Sequence, residues 1–307
     1  MCPQGSGTAC GVAGCAATIG RIAVDPPPAP RPAIRIVLNA DDYGLTEGID
    51  LGILRLLEAG RLSGVSVMST GPRWRQGAAA LTPFAAQADI GLHFALTEVP
   101  TVRQDLSRNG RPFTFGQVHR LAWRKGIDRA AVLDELHRQW ELFSEAFGRP
   151  PAHLDSHQHV HQLPVIRGAV LEFVRGLAAG ERPYVRTCFE TPATILRRGV
   201  HRTRAGTFAW AGVHLHRSLR RAGVPTNDGF SGVYDFHARQ GYRALFQKFL
   251  QGLRANAIVI CHPALPGKEA PGDDIAAARP LEFDYLSGPE VLADAASADV
   301  RWGRFGA

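Results

Sequence analysis

From Ile34 onward the chain alternates between short apolar, β-branched runs and longer stretches whose hydrophobic positions recur at the helical period. The apolar runs Ile34–Leu38, Val65–Met68, Ile90–Leu96, Tyr184–Phe189 and Ala257–Ile260 read as strands. Between them, Glu47–Ala59, Arg129–Phe147, Pro164–Ala178 and Tyr242–Arg254 read as helices. Strand-then-helix alternation predicts an α/β fold of parallel strands with helices outside, either a barrel or a doubly wound sheet. No internal repeat and no clean domain break interrupts it, so residues 33–307 are expected to form one domain. Residues 1–32 are different in kind, rich in Gly, Ala, Cys and Pro and containing the run Pro26-Pro27-Pro28-Ala29-Pro30. The apolar stretch Gly11–Ile19 is weak, has no basic residue before it and is followed by Arg21. It is read as a floppy tail or a mis-set start rather than a secretory signal.

Composition narrows the class without changing the fold. A chain of 307 residues with 45% hydrophobic and 21% charged residues is globular, not disordered or fibrous. No run of about 18 apolar residues is present, so no membrane crossing is expected. The five cysteines are an odd, low number, and Cys2, Cys10 and Cys15 fit no zinc or redox spacing. That usage points to a reducing, cytoplasmic compartment.

Charge matters through its location. The formal net charge is +7, from 35 basic and 28 acidic residues. Residues 191–227 hold seven arginines (197, 198, 202, 204, 217, 220 and 221) and no acid, and the remaining chain is neutral. From His214 to Arg221 the arginines fall on helical spacing, with Leu215 and Leu219 on another face. Two readings follow: a solvated insertion whose arginines pair with acids elsewhere, which is favoured, or a short basic amphipathic helix on an anionic membrane surface. No helix-turn-helix, zinc-finger or RNA-binding signature accompanies the charge, so no specific nucleic-acid partner is expected.

The chemistry gathers where strands end. Asn39-Ala40-Asp41-Asp42-Tyr43-Gly44 follows the first strand, and adjacent carboxylates are costly to hold together unless a cation or proton shares them. On an extended chain the two point opposite ways, which gives them different jobs; the plain alternative is a helix N-cap pair. His93 closes the strand Asp89-Ile90-Gly91-Leu92-His93, and His262 closes Ile258-Val259-Ile260-Cys261. The densest cluster is His153-Leu154-Asp155-Ser156-His157-Gln158-His159-Val160-His161. Its alternation would place several imidazoles on one side of an extended segment, where imidazole is the commonest metal ligand. The spacing is not that of a structural zinc site. Four strands each delivering an Asp or His at the C-terminal end is how parallel α/β barrels build active sites.

Together these motifs resemble the YdjC-like carbohydrate deacetylases, a family that includes chitooligosaccharide and hopanoid-biosynthesis-associated deacetylases. The resemblance runs in order from about Ile34 to Leu286, through Gly229-Phe230-Ser231-Gly232-Val233-Tyr234-Asp235 and Arg279…Glu282. The tail 1–30 and much of 191–227 lie outside it. It implies a (β/α) barrel-like single domain, a distorted or incomplete TIM-type barrel, holding one divalent metal ion. By resemblance, Asp42, His93 and His157 are the metal ligands, Asp41 is the general base and His262 the general acid. The family implies magnesium, whereas two imidazoles and a carboxylate suit zinc, manganese or iron better by softness. Asp155, His159, His161, Ser231 and Arg279 are expected behind the ligands or against substrate, with Arg279 orienting a catalytic carboxylate.

These residue types suit hydrolysis of an acetamide. A metal with three protein ligands keeps positions open for water and for the amide oxygen, a carboxylate takes the water's proton, and a histidine protonates the departing amine. The expected partner is an N-acetylated sugar or oligosaccharide, free or lipid-linked, and the resemblance also suggests a homodimer. Two alternatives stand beside it: a metal-dependent hydrolase of another bond on the same scaffold, and a binder of anionic surfaces or nucleic acid acting through the arginines of 191–227.

Overall fold

The computed structural model describes residues 33–237, 241–268 and 273–306, with a few isolated positions before Ala33. The tail reading for 1–32 and the three early cysteines lie almost wholly outside the described residues. The strands are β1 (Ile34–Tyr43), β2 (Gly64–Val67), β3 (Asp89–Phe94), the short hairpin pair β4 (Ser107–Arg108) and β5 (Arg111–Pro112), and β6 (His153–Ser156). They continue with β7 (Tyr184–Val185), β8 (Phe230–Ser231), β9 (Ile258–Cys261) and β10 (Val300–Trp302). Outside the hairpin all pair in parallel, in the order β7-β6-β3-β2-β1-β9-β8, and β10 lies against the start of β1. The sheet curls into a half-barrel. Between its edge strands β7 and β8 the chain crosses through the bridge Val185–Thr226, and the Asn227 amide donates to the Thr187 carbonyl.

Ten α-helices among the described residues connect these strands: α1 (Glu47–Glu58), α2 (Trp74–Leu81), α3 (Phe115–Trp123), α4 (Arg129–Phe147) and α5 (Ile166–Gly176). The later ones are α6 (Pro192–Arg198), α7 (Arg202–Arg221), α8 (Tyr242–Phe249), α9 (Arg279–Ser287) and α10 (Glu290–Ser297). Local chemistry sets their ends. Thr46, Thr114, Asp128 and Thr191 each cap a helix N-terminus through the side chain, and Gly148 and Gly199 end α4 and α6 in the left-handed conformation.

The period of two along each strand explains where the core and the site lie. Ile36, Leu38 and Ala40 of β1, Val65 and Val67 of β2, and Ile90, Leu92 and Phe94 of β3 belong to the large core under the helices. The alternate positions face the barrel interior. At its N-terminal end these are apolar: Val37, Tyr184, Ile258 and Phe230 form a second core with Phe305 against it. Towards the C-terminal end the same faces become polar, with Asn39, Asp41, Ser66, His93, Asp155 and Arg186 all buried. Gly91 permits this packing, since a Cβ there would come within 2.3 Å of the His153 ring.

The stretch 191–227 is not the short helix from His214 that one of its two readings expected. It forms α6 and α7, the latter a 20-residue helix rather than a short segment from His214. Leu215 and Leu219 are fully buried, and a Cβ at Gly212 would collide with the Phe189 backbone. The helix is pressed against the barrel, and its leucines belong to the core, not to a lipid-facing surface.

Candidate active site

A cavity of about 500 Å³ opens at the C-terminal ends of the strands, and Asp41, Asp42, His93, His157 and His262 all line it. A regular β1 would send Asp41 and Asp42 to opposite faces. The pairing with β2 instead contains a bulge: Ala40 faces Val65 and Tyr43 faces Val67, so β1 carries one extra residue. Asp42 absorbs it with a φ of 74°, and both carboxylates reach the cavity. Re-aiming a side chain beside a site is a recurrent use of bulges. The N-cap reading of the pair fails, because Thr46 caps α1.

Three side chains meet at the bulge. Asp42 Oδ1 lies 3.1 Å from His157 Nδ1 and 3.4 Å from His93 Nε2. The far atom of each is held from behind. His93 Nδ1 is 2.5 Å from Asp155 Oδ1, His157 Nε2 is 2.8 Å from Glu98 Oε2, and Asp42 Oδ2 accepts from Arg279 at 2.8 Å. Since a carboxylate only accepts, His93 donates from Nδ1 and His157 from Nε2, so the other two nitrogens face Asp42 Oδ1 either as protonated donors or as lone pairs offered to an ion. Two lone pairs and a carboxylate oxygen at such distances repel unless a cation or protons lie among them. Electrostatics say the same. Burial disfavours the charged imidazolium of His93, yet Asp155 and Asp41 outweigh it and push its pKa up to about 10. Burial opposes charge on His157 as well, but its bonds to Asp42 and Glu98 raise it to about 9. Burial would raise Asp42, but Arg279 and the two histidines hold it well below the carboxylate range. The donor set of one carboxylate and two imidazoles therefore fits a divalent ion.

Asp41, His93 and Asp155 also converge. There, however, the positive charge is already supplied: Arg186 grips Asp41 with both terminal nitrogens at 2.7 and 2.8 Å and reaches Asp155 at 3.1 Å. Asn39 donates a further bond to Asp41 at 2.7 Å. Asp41 Oδ2 lies 3.9 Å from His93 Nε2 and 3.8 Å from His262 Nε2, between the triad and His262. His262 packs its ring edge-on to Phe236, its backbone N–H donates to Glu282, and its Nδ1 has no partner among the described residues.

The remaining expected residues separate. Asp155 sits directly behind His93. Arg279 clamps Asp42 and Asp273, so the carboxylate it orients is Asp42 and not Asp41. His159 lines the cavity with its ring against Phe208 and Phe230. His161 and Ser231 do not reach the cavity. His161 donates to the Arg186 carbonyl and accepts from Ser156, and Ser231 donates to the Phe249 carbonyl. The expectation that the 153–161 histidines share one side of an extended segment is corrected: β6 ends at Ser156, and Gln158 and His159 both adopt left-handed conformations. Of the four imidazoles only His157 and His159 reach the cavity; His153 bonds Ser66 and His161 the Arg186 carbonyl.

Sequence reasoning missed Arg186, Glu98 and Ser66. Arg186 continues the inward alternation of Tyr184, which was a usable signal. Ser66 accepts from Asn39 and donates to Asp155 at 2.6 Å, on the inward face of β2. Glu98, half-exposed in a loop with a φ of 65°, carried no signal.

The model of the family described as YdjC-like protein matches residues 35–297, running through the 191–227 stretch expected to fall outside the resemblance. A chitooligosaccharide deacetylase of Enterobacter sp. (strain 638) is 28% identical over 278 residues, covering 88% of this chain and 97% of that protein. One from Serratia marcescens is 34% identical over 152 residues, 46% of this chain; there, as in Yersinia relatives, the match spans about half the relative's length. Among solved structures, a protein of Enterococcus faecalis V583 titled for cellobiose-phosphate cleavage superposes with a TM-score of 0.67 at 18% identity, covering 89% of this chain and 97% of its own. That similarity extends the shared architecture across the whole half-barrel. With the family match spanning nearly all described strands and helices, this chain belongs to the YdjC-like family.

Proposed function

We propose that the protein is a metal-dependent carbohydrate deacetylase that hydrolyses the acetamide of an N-acetylated amino sugar and releases acetate. The observation that carries the reading is the convergence of two imidazole nitrogens on Asp42 Oδ1, each ring held from behind by a carboxylate, beside a second carboxylate that Arg186 already holds. The names of the Enterobacter and Serratia relatives support the substrate class. Asp42, His93 and His157 would hold the ion, which when bound polarises the amide oxygen and acidifies a water. The donor set suits zinc, manganese or iron more than magnesium.

The chain's own residues supply the rest. Arg186 and Asn39 fix Asp41 so that its Oδ2 faces the space between the triad and His262. From there Asp41 takes the proton of the attacking water. His262, across that space, gives a proton to the departing amine. Phe236 and Phe208 wall the cavity and limit water around the sugar.

Metal analysis of the purified protein, joined to amine release from N-acetylglucosamine oligomers with and without chelator, tests the reading. Expected is about one divalent ion per chain, and release that stops with chelator and returns with metal. Release unaffected by complete metal removal would overturn the metal assignment, and no release from any N-acetylated sugar would overturn the substrate class.

A further inference from the structure

Outside the cavity, α3 and α7 carry a connected row of exposed aromatic rings. Phe115, which lines the cavity, is followed on α3 by His119 and Trp123 at steps of four residues, with ring centroids 5.8 and 6.1 Å apart. Trp123 stacks on Trp210 of α7 at 5.5 Å and 11°, and Trp210 meets His214 at 5.9 Å. The two indoles remain 43% and 52% exposed even though they stack on each other. On α7, Trp210, His214, Arg217 and Arg221 follow one another at steps of four, three and four, which is one stripe of the helix.

The same face is strongly basic. Arg120, Arg124 and Lys125 at α3 and the five arginines of α7 are all exposed, and neither stretch contains an acid. Among the described residues only one of these eight cations has an ion pair, Arg220 with Asp228 at 3.7 Å. The expectation that the arginines pair with acids elsewhere therefore holds for Arg198, buried against Glu190, but not for this stripe.

We propose that the face formed by α3 and α7 docks on an anionic lipid bilayer, with Trp123 and Trp210 entering the headgroup region and Arg217 and Arg221 meeting lipid phosphates. Amphipathic indole rings beside unpaired arginines are the composition that an anionic interface selects. A second copy of this chain fits poorly, because a two-fold contact would bring this basic face against itself. A nucleic acid fits poorly too, since base stacking needs open ring faces and each indole here covers one face of the other. The mode differs from an inserted helix. Leu215 and Leu219 stay in the core, and only side chains of the outer stripe reach the lipid. Phe115 and, on α7, Arg204 and Phe208 line the cavity, so the docked face carries the cavity wall with it. On the deacetylase reading above, this favours an amino sugar displayed on a lipid; the docking itself does not depend on that reading.

The test is sedimentation of the full chain with vesicles of phosphatidylglycerol mixed with phosphatidylcholine, at low and high salt. Pelleting at low salt, release at high salt and no pelleting with phosphatidylcholine alone are expected. Replacing Arg217 and Arg221 together by Ser should weaken partitioning roughly 30-fold, from about fivefold per charge at the membrane surface. Trp123→Ser with Trp210→Ser should weaken it independently. None of the four lines the cavity, so amine release from a soluble oligomer should match the parent protein in every variant, and its absence in the parent leaves the vesicle result intact. No binding at low salt, equal binding to neutral vesicles, an arginine variant that binds like the parent, or tighter binding to a single-stranded oligonucleotide would each overturn the proposal.

Discussion

Two regions of this protein are crowded with charge, and they treat it in opposite ways. At the mouth of the barrel Asp41, Asp42, Asp155, Arg186 and Arg279 are nearly or wholly buried, and each has a named partner within 3.1 Å. On the α3–α7 face eight cations are exposed, and among the described residues only one has an acid, at 3.7 Å. Burial explains the difference. A charge removed from water must be compensated in place, so its partners are fixed by the fold, whereas an exposed arginine is satisfied by water. The first region is therefore a machine part whose every member constrains the next, and the second is a surface whose members act by sum.

The sharpest test of that contrast lies inside the triad. His157→Ala should abolish metal binding and amine release together, because the ion would lose one of three ligands. Asp41→Asn should keep the metal and lower turnover on the order of 10²–10⁴-fold, the usual range for a missing general base. His262→Ala should lower it most for the most basic leaving amines. Elemental analysis beside steady-state rates separates these; an Asp41→Asn protein with near-normal turnover would remove Asp41 from the mechanism.

The next contrast sets one arginine against another. Arg186→Met leaves two buried carboxylates without their guanidinium, and removing one partner of a buried ion pair costs about 3–5 kcal/mol. Denaturant unfolding should show that loss, while Arg186→Lys, which keeps the charge but not the fork, should lose less. A variant as stable as the parent would mean that water or protons already balance the site.

Proton release reads the same site more gently. In the metal-free protein the folded pKa values of His93 and His157, about 10 and about 9, lie above the ordinary imidazole value. Their contribution to stability is complete below about pH 6.5 and is lost as pH rises through 9 to 10. A metal must displace those protons, so its affinity should climb with pH across that window and each binding event should release protons. Calorimetric titration in buffers of different ionisation enthalpy measures the number. Zero release at pH 7 would show that the lone pairs are already free.

What the sequence made legible follows the same division. The strands β1, β2, β3 and β9, the helices α1 and α4, and the placement of acids and histidines at strand ends were legible, because buried strands need continuous apolar runs and inward polar residues interrupt them at period two. The short β6, β8 and β10 were not among the runs read as strands, and of Tyr184–Phe189 only Tyr184–Val185 is a strand. The bulge at Asp42 could not be read, since it arises from pairing with β2 and leaves no mark on β1 itself. The turn after Ser156 was missed because His157 to His161 alternates like a strand, and only the left-handed Gln158 and His159 break it. Leu215 and Leu219 show the limit most clearly. An amphipathic helix has the same sequence whether its apolar face meets a membrane or a barrel.

That ambiguity leads to the smallest expected effect. On α7, Leu219 is fully buried while Arg217 and Arg221 are exposed, with no ion pair among the described residues. Leu219→Ala should cost about 2–5 kcal/mol, as deletion of a buried leucine side chain does. Arg217→Ser and Arg221→Ser should each change stability by no more than about 0.5 kcal/mol, since neither leaves a buried group unpaired. Arg217 sits two residues before Leu219 and Arg221 two after, so helix position cannot account for a difference between them; only the side of the helix can. Denaturant midpoints of the three variants, compared at equal slope, give the answer. If the arginine changes cost as much as the leucine change, these cations are bonded within the fold after all, and the α3–α7 face belongs with the barrel mouth and not against it.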